Sequence, residues 1–380
     1  MKIGGDWATH PGTQGLCAAL ADAGYRALFV GGCVRNALLG VAVDDVDIAT
    51  DATPENVTNI AEKAGFRPVP TGVDHGTVTV IAGGRPHEVT TFRRDVETFG
   101  RHAVVAFTTD VAQDAARRDF TMNALYATPD GTVIDPLGGL PDLMARRVRF
   151  VGDPAARIAE DYLRVLRFFR FHARYGDPAQ GLDAEGLAAC AAAVDGLATL
   201  SRERVGHEMR KLLAAADPAR AVAAMQVAGV LAAVLPGADA RAQAPLVHLE
   251  GTRAPRWMRR LAVLGGQDPA TALRLSRAEE RHFGLVRDEI GTLRGGAELA
   301  FRHGVEVAED TLLARAALTG TPLPGGWDAA LPQAAAARCP VTAADLMPAL
   351  QGPALGAALR AIEDRWIASG FTLTRDDQIG

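Results

Sequence analysis

The chain has 380 residues, 48% of them hydrophobic, with a mean hydropathy of +0.05 and a formal net charge of −5. That length holds two or more domains with a buried core, the apolar content excludes a disordered chain, and the longest apolar run, about Val227 to Leu235, is too short to span a bilayer. The N-terminus lacks a basic segment followed by an apolar core, and Cys17, Cys33, Cys190 and Cys339 are scattered without a Cys-x-x-Cys. A zinc site and a disulfide framework are therefore not expected, and the cytoplasm is the expected compartment.

Phe29 and Val30 close a short apolar strand, and Gly31 and Gly32 let the backbone pass close to a ligand. Val34 to Leu39 predicts a helix directly after that turn, so its free N–H groups face whatever lies over the glycines. A second apolar segment, Val43 to Ile48, carries Asp45 and Asp47; two residues apart on a strand, their side chains share one face. Phosphate-binding N–H groups beside two carboxylates suit metal-assisted phosphoryl transfer, because carboxylates hold divalent cations that bridge phosphate oxygens. A Gly-Gly turn alone is common, and an Asp-x-Asp alone can be a solvated strand edge; the two together at this spacing point to a nucleotidyltransferase. Neither a Walker-type loop nor a dinucleotide-type Gly-x-Gly-x-x-Gly is present.

Thr53 predicts the cap of a helix running to about Lys63 and ended by Gly65. Thr77 to Ile81 and Glu88 to Phe92 predict paired strands about a turn at Gly83-Gly84. Arg93 to Asp110 is polar, charged and carries Gly100, the pattern of a mobile loop. Arg117-Arg-Asp-Phe-Thr-Met-Asn-Ala-Leu125 predicts a helix start, where two Arg oppose the macrodipole preference for acids and so suggest a task. Arg118 suits a triphosphate, since guanidinium matches phosphate bidentately; a pairing of these Arg with Asp114 and Asp119 is the plainer alternative. Val133 to Pro136 predicts a last strand before the turn at Gly138-Gly139.

Beyond about residue 145 the strand signals fade and Ala, Leu and Arg dominate with helical periodicity. Ser201 predicts an N-cap for a helix burying Val205, Met209, Leu212 and Leu213. Between Met144 and Arg174 stand Arg146, Arg147, Arg149, Arg157, Arg164, Arg167, Arg170 and Arg174 against Asp153, Glu160 and Asp161. This basic stretch in an acidic chain fits a phosphate-rich ligand, or equally a solvated helix face. Asp161, Arg164, Arg167 and Arg170 step by three, which predicts one helical face. An acceptor and a donor fork a turn apart can imitate the Watson–Crick edge of a base, leaving Arg167 and Arg170 for phosphates or for orientation; a plain i,i+3 ion pair is the alternative.

Taken in order, these motifs resemble the class II tRNA nucleotidyltransferase and bacterial poly(A) polymerase family. The resemblance rests on Gly31-Gly-Cys-Val-Arg35 with Asp45-Val-Asp47, on Arg117-Arg-Asp-Phe-Thr-Met-Asn-Ala, and on a joint at Asp135-Pro-Leu-Gly-Gly. Glu160-Asp-x-x-Arg-x-x-Arg and Ser201-Arg-Glu-Arg-Val-Gly-His-Glu-Met complete it, so that it covers about residues 28–213. It implies an α+β fold: a small polymerase-beta-like mixed-sheet head over 1–145, a helical base-reading neck over 146–215, and a helical body and tail over 216–380. By the same resemblance Asp45 and Asp47 would hold two Mg²⁺, with Glu88 in the place of a third carboxylate. Gly31, Gly32, Arg35 and Arg118 would contact the triphosphate. Asp161 and Arg164 would pair with cytosine or adenine, and Arg167 and Arg170 would support the nucleotide. Asn36 departs from the family pattern, which has Asp there.

The implied activity is addition of the 3′-terminal CCA to tRNA from CTP and ATP, the body and tail holding the acceptor and T arms, with no membrane or DNA partner. Thr71-Gly-Val-Asp-His-Gly-Thr-Val-Thr-Val resembles the CCA-adding form, and the closing Thr372-Leu-Thr-Arg-Asp-Asp-Gln-Ile-Gly lacks the basic character of poly(A) polymerase tails. Poly(A) polymerase, a CC-only or A-only enzyme, and an inactive RNA-binding module are the alternatives.

Overall fold

The structure, a computed structural model, describes residues 1–72, 76–99 and 102–379, with backbone alone at 70–71, 95–99 and 102–105. Residues 73–75 of the Thr71 to Val80 stretch lie outside the described residues. The chain forms two compact units, Met1–Val234 and Leu235–Gly380.

The first unit begins with α1 (Asp6–Thr9), α2 (Pro11–Asp22), β1 (Ala27–Val30), α3 (Gly32–Leu39), β2 (Val46–Thr50) and α4 (Pro54–Lys63). Thr53 caps α4 by accepting from the Asn56 N–H, with Pro54 at the first helical position, where its missing donor costs nothing. Then come β3 (Arg67–Gly72), β4 (Thr77–Ala82), β5 (Arg85–Thr91), β6 (Arg93–Phe99), β7 (His102–Phe107), α5 (Val111–Ala116), a 3₁₀ turn at Thr121–Asn123, β8 (Tyr126–Ala127), β9 (Val133–Ile134) and α6 (Leu140–Met144). Seven strands form a mixed sheet in the order β3-β4-β5-β2-β1-β8-β9. β2 and β5 run parallel, whereas β1 and β2 are antiparallel with Phe29 opposite Ile48. Leu28, Val30, Ala49, Phe92, Ala124 and Tyr126 build a core beside them.

Three local expectations are corrected. The segment expected as a loop from Arg93 is a two-stranded ribbon, β6 with β7, apart from the main sheet. The polar run Arg93–Phe99 and the continuous apolar run Ala103–Phe107 show no strict alternation, so periodicity did not reveal the strands. Arg117 does not start a helix: it is the C-cap of α5, where a cation suits the macrodipole, and the expected misfit disappears. β2 begins at Val46, leaving Asp45 just before the strand.

The unit continues with α7 (Pro154–Glu160), α8 (Leu163–Tyr175), α9 (Ala184–Ala192), a 3₁₀ stretch at Val194–Thr199, α10 (Arg202–Leu213), α11 (Ala219–Val227) and α12 (Val230–Val234). Asp161 is extended (φ −156°, ψ 105°) and separates α7 from α8, so the predicted continuous face from Asp161 to Arg170 is broken at its first member. Phe120, Phe150, Phe168 and Phe171 form one aromatic cluster that seats α8 on the segment following α5; Phe150 and Phe168 stack at 5.4 Å. Ser201 caps α10 through the Arg204 N–H, and Val205, Met209, Leu212 and Leu213 are buried as expected.

The second unit is helical: α13 (Gln243–Glu250), α14 (Trp257–Leu264), α15 (Pro269–Ala272), α16 (Arg277–Ile290), α17 (Gly296–His303), α18 (Val305–Thr319), α19 (Leu331–Ala336), α20 (Ala343–Leu346), α21 (Gly352–Ala368) and α22 (Arg375–Ile379). Leu246, Val263 and Leu313 centre one core cluster, and Leu299, Ala308 and Leu331 another. Arg259 and Arg260 are fully buried yet paired: Arg259 with Glu250 at 3.1 Å and Asp310 at 2.7 Å, Arg260 with Glu250 at 2.7 Å. Pairing is what makes such burial tolerable. Among the described residues no helix is long and apolar enough to cross a membrane.

Candidate active site

The site gathers at the edge between β1, β2 and β5. Gly31 follows β1 with φ +68°, and a Cβ there would lie 3.4 Å from Arg118 Nη1. Its backbone conformation therefore favours glycine, while a Cβ would meet its neighbours only at ordinary contact distance. As the N-cap of α3 it offers no side-chain acceptor, so the first turn of that helix keeps donors free for an anion.

β2 and β5 then place Asp47 directly opposite Glu88 in the parallel register. Asp47 is half-buried, Glu88 and Asp45 are exposed. Burial, together with the neighbouring negative charges of Glu88 and Asp45, raises the Asp47 carboxyl to about 6, against the opposing pull of Arg118 and Arg35. Three carboxylates thus share one field. Among the described residues no ready-made cage of three or more His, Cys, Asp or Glu ligands exists. The all-oxygen donor set of Asp45, Asp47 and Glu88 is of the kind that suits a hard divalent cation such as Mg²⁺.

Two arginines flank the carboxylates. Arg35, buried on α3, donates to Asn123 Oδ1 at 2.5 Å, to the Tyr175 hydroxyl at 2.7 Å and to Asn36 Oδ1 at 2.8 Å, with its guanidinium 4.0 Å from the Tyr175 ring. Asn36 also donates to the Ala42 carbonyl, so the residue that departs from the family pattern is fully engaged. Burial lowers the Arg35 pKa from its ordinary value. Arg118 pairs with Asp114 Oδ2 at 3.1 Å and donates to the Tyr126 hydroxyl, also at 3.1 Å. Burial opposes its charge, but Tyr126 and Asp114 more than offset this and raise its pKa. Arg117 pairs with the same Asp114 at 2.8 Å. The ion-pair alternative for these two arginines is therefore what the structure has, with Asp114 as acceptor for both.

The neck residues are arranged differently from the sequence expectation. Asp161 pairs with Arg204 of α10 at 2.6 Å, and its other oxygen accepts from the Leu163 N–H at 3.1 Å. Arg164 turns to Glu160 and to the carbonyls of Arg157 (2.6 Å) and Arg117 (3.2 Å). Arg167 pairs with Asp119 at 2.5 Å. Arg170 is buried and donates to Glu208 at 2.5 Å, which places it in helix packing rather than on an open face. Asp119, expected from the sequence only as an alternative partner of Arg117 and Arg118, binds Arg167 instead, and the sequence reading missed this role together with those of Asn123, Tyr175, Arg204 and Glu208. Four of them lie inside the quoted motifs, so the signal was present; Tyr175 carried none.

Strand-turn-helix beside opposed carboxylates, with an arginine-rich helix in the same unit, defines a nucleotidyltransferase. The profile described as "Poly A polymerase head domain" matches residues 27–149, and "Probable RNA and SrmB- binding site of polymerase A" matches 182–241. The CCA-adding enzyme of Geobacillus stearothermophilus is 37% identical over 332 residues, 82% of this chain and 79% of that protein. The mitochondrial CCA tRNA nucleotidyltransferase 1 of Mus musculus is 44% identical over 203 residues, and there the chain spans only 47% of the relative's length. The crystal structure of the Bacillus stearothermophilus CCA-adding enzyme in complex with CTP superposes with a TM-score of 0.76 at 32% identity, covering 98% of this chain and 96% of that one. The chain belongs to the family of CCA-adding tRNA nucleotidyltransferases and bacterial poly(A) polymerases.

Proposed function

We propose that the protein adds or repairs the 3′-terminal CCA of tRNA, taking CTP and ATP without a nucleic-acid template and releasing pyrophosphate. The observation that carries this reading is the register of Asp47 against Glu88 beside the Gly31 turn, in a chain whose relatives are CCA-adding enzymes along most of its length. The head is assigned to residues 1–145, the base-reading neck to 146–215, and the body and tail, holding the acceptor and T arms of tRNA, to 216–380.

In this reading Asp45 and Asp47 would hold two Mg²⁺, with Glu88 as the third carboxylate. When bound, the ions neutralise phosphate charge and lower the pKa of the attacking hydroxyl. The chain's own residues do the rest. Gly31 and Gly32 let the triphosphate approach the first turn of α3. Arg35 and Arg118 supply fixed positive charge, Arg118 exchanging Asp114 for phosphate oxygens. The tRNA 3′-oxygen then bonds to the α-phosphorus as the bond to the bridging oxygen breaks; pyrophosphate leaves and the hydroxyl proton passes to solvent. Asp161 accepts from, and Arg164 donates to, the base edge, with Arg167 and Arg170 holding their helix. Cytosine and adenine each present an exocyclic amino donor where uracil and guanine present a carbonyl, so a wrong base leaves polar groups unpaired.

An extension assay at single-nucleotide resolution tests this, using tRNA lacking its CCA end, Mg²⁺, and CTP, ATP or both. Two additions with CTP, a third only when ATP is present, and then a stop are expected. A long ladder with ATP alone would make it a poly(A) polymerase, and no extension would leave an RNA-binding module.

A further inference from the structure

We propose that Arg204 of α10 is a positioning residue that aims the Asp161 carboxylate and so sets nucleobase selectivity. The inference rests on the reading of Asp161 as a base reader.

Asp161 lies in the extended gap between α7 and α8, so no helical packing fixes its side chain. Two donors from two different elements fix it instead. The Leu163 N–H, at the start of α8, binds Oδ1 at 3.1 Å, and Arg204 Nη2 binds Oδ2 at 2.6 Å. An ionised carboxylate offers about four lone-pair sites. Two are taken here and the side chain keeps 21% exposure, so acceptor capacity remains on its open side.

Arg204 is itself held in place. Its own N–H is bound by the Ser201 cap, and one turn further along α10 Glu208 grips Arg170 of α8 at 2.5 Å. α10 therefore clamps the base-reading segment at two points, one on Asp161 and one on Arg170. Arg164 draws on neither, since Glu160 and two carbonyls occupy its guanidinium. The two base readers are thus pinned independently, and only the acceptor depends on α10.

A carboxylate fixed in direction attracts the amino groups of cytosine and adenine and repels the carbonyl oxygens of uracil and guanine. Released from Arg204, it pivots about the Leu163 contact, losing both the attraction and the repulsion. The selectivity of correct over incorrect nucleotides then falls more than the chemistry does.

The test compares wild type, Arg204→Gln and Arg204→Lys on tRNA lacking its CCA end, with kcat and KM for CTP and for UTP measured separately and thermal unfolding recorded on the same preparations. Arg204→Gln is expected to lower the CTP/UTP ratio of kcat/KM by about tenfold or more. KM for CTP should rise while kcat stays within several-fold, and Arg204→Lys should give an intermediate ratio. If Arg204→Gln fails to fold, Arg204→Lys decides alone: an intermediate ratio supports the inference and a wild-type ratio overturns it. Equal losses for CTP and UTP, with the ratio kept, overturn it by showing that Arg204 only braces helices. A wild-type enzyme without preference for CTP over UTP overturns the reading of Asp161 beneath it, and the inference with it.

Discussion

Arg167 and Asp119, 48 residues apart, are bound twice over: Nε and Nη2 of the arginine reach the same carboxylate oxygen at 2.7 and 2.5 Å. The other oxygen of Asp119 takes the Phe120 N–H and the Asn123 amide, both at 2.8 Å, and Asn123 in turn accepts from Arg35. The helix assigned to reading the base is thereby tied to the arginine assigned to the triphosphate. Burial alone would raise the Asp119 pKa, but Arg167, Asn123 and the Phe120 N–H hold it below the ordinary value. A depressed native pKa contributes stability above the unfolded value, and that stability is lost as pH falls through the native one. Asp119→Asn should therefore cost about 3 kcal/mol at pH 7. Its deficit in melting temperature against wild type should shrink below about pH 4. A deficit that is the same at pH 7 and pH 3 would contradict the assignment.

Asp47 has the opposite sign. With its native carboxyl near 6 instead of 3.8, ionisation weakens the fold; the penalty is absent below the unfolded pKa and complete above the native one. In EDTA at pH 8, Asp47→Asn should be more stable than wild type by ~1–3 kcal/mol, with the advantage gone near pH 4. The same variant should lose nucleotide incorporation by about 10³-fold or more with tRNA binding retained. A less stable, active Asp47→Asn would remove Asp47 from the metal-holding role.

Gly31→Ala combines a left-handed backbone with a Cβ placed 3.4 Å from Arg118. The expected loss is about 1 kcal/mol in stability. Because the proposed reading brings the triphosphate to this turn, KM for CTP and ATP should rise by about tenfold or more, beyond what the stability change explains. Calorimetry and steady-state kinetics separate the two effects, and unchanged KM values would place the phosphates elsewhere.

Arg35→Lys keeps the charge but not the fork that reaches Asn36, Asn123 and Tyr175 together, nor the stacking on Tyr175. It should destabilise the protein by about 1–3 kcal/mol and raise KM for both nucleotides. A neutral result in both measurements would show that charge alone suffices at this position.

How much of this was legible in the sequence depends on what each residue's neighbours are. The Gly31 turn, the caps at Thr53 and Ser201 and the apolar face of α10 follow from local rules, and the structure has them where those rules put them. The break at Asp161 does not follow, since no Pro or Gly marks it and the Arg-x-x-Arg spacing runs straight through it. Asp161 itself carries a local signal the spacing masked: extended, with its side chain on the Leu163 N–H, it caps the start of α8, and only its second partner, Arg204 on another helix, is tertiary. Arg117 reads as misplaced at a helix start only because α5, the short helix ahead of it at Val111–Ala116, is not apparent from the sequence. Pairings such as Arg170 with Glu208 depend on how helices dock, which spacing along one helix cannot give.

β2 and β5 are parallel neighbours, and parallel strands cannot be joined by a tight turn. The chain must run through α4, β3 and β4 before Glu88 comes to lie across from Asp47. No fragment ending before β5 contains the acidic centre. Its appearance thus depends on a pairing between strands far apart in the chain, a contact slower to form than local ones. On the proposed reading a chain in which β2 and β5 have not met is chemically silent, and the repulsion among the carboxylates is met only once those strands are paired to bear it.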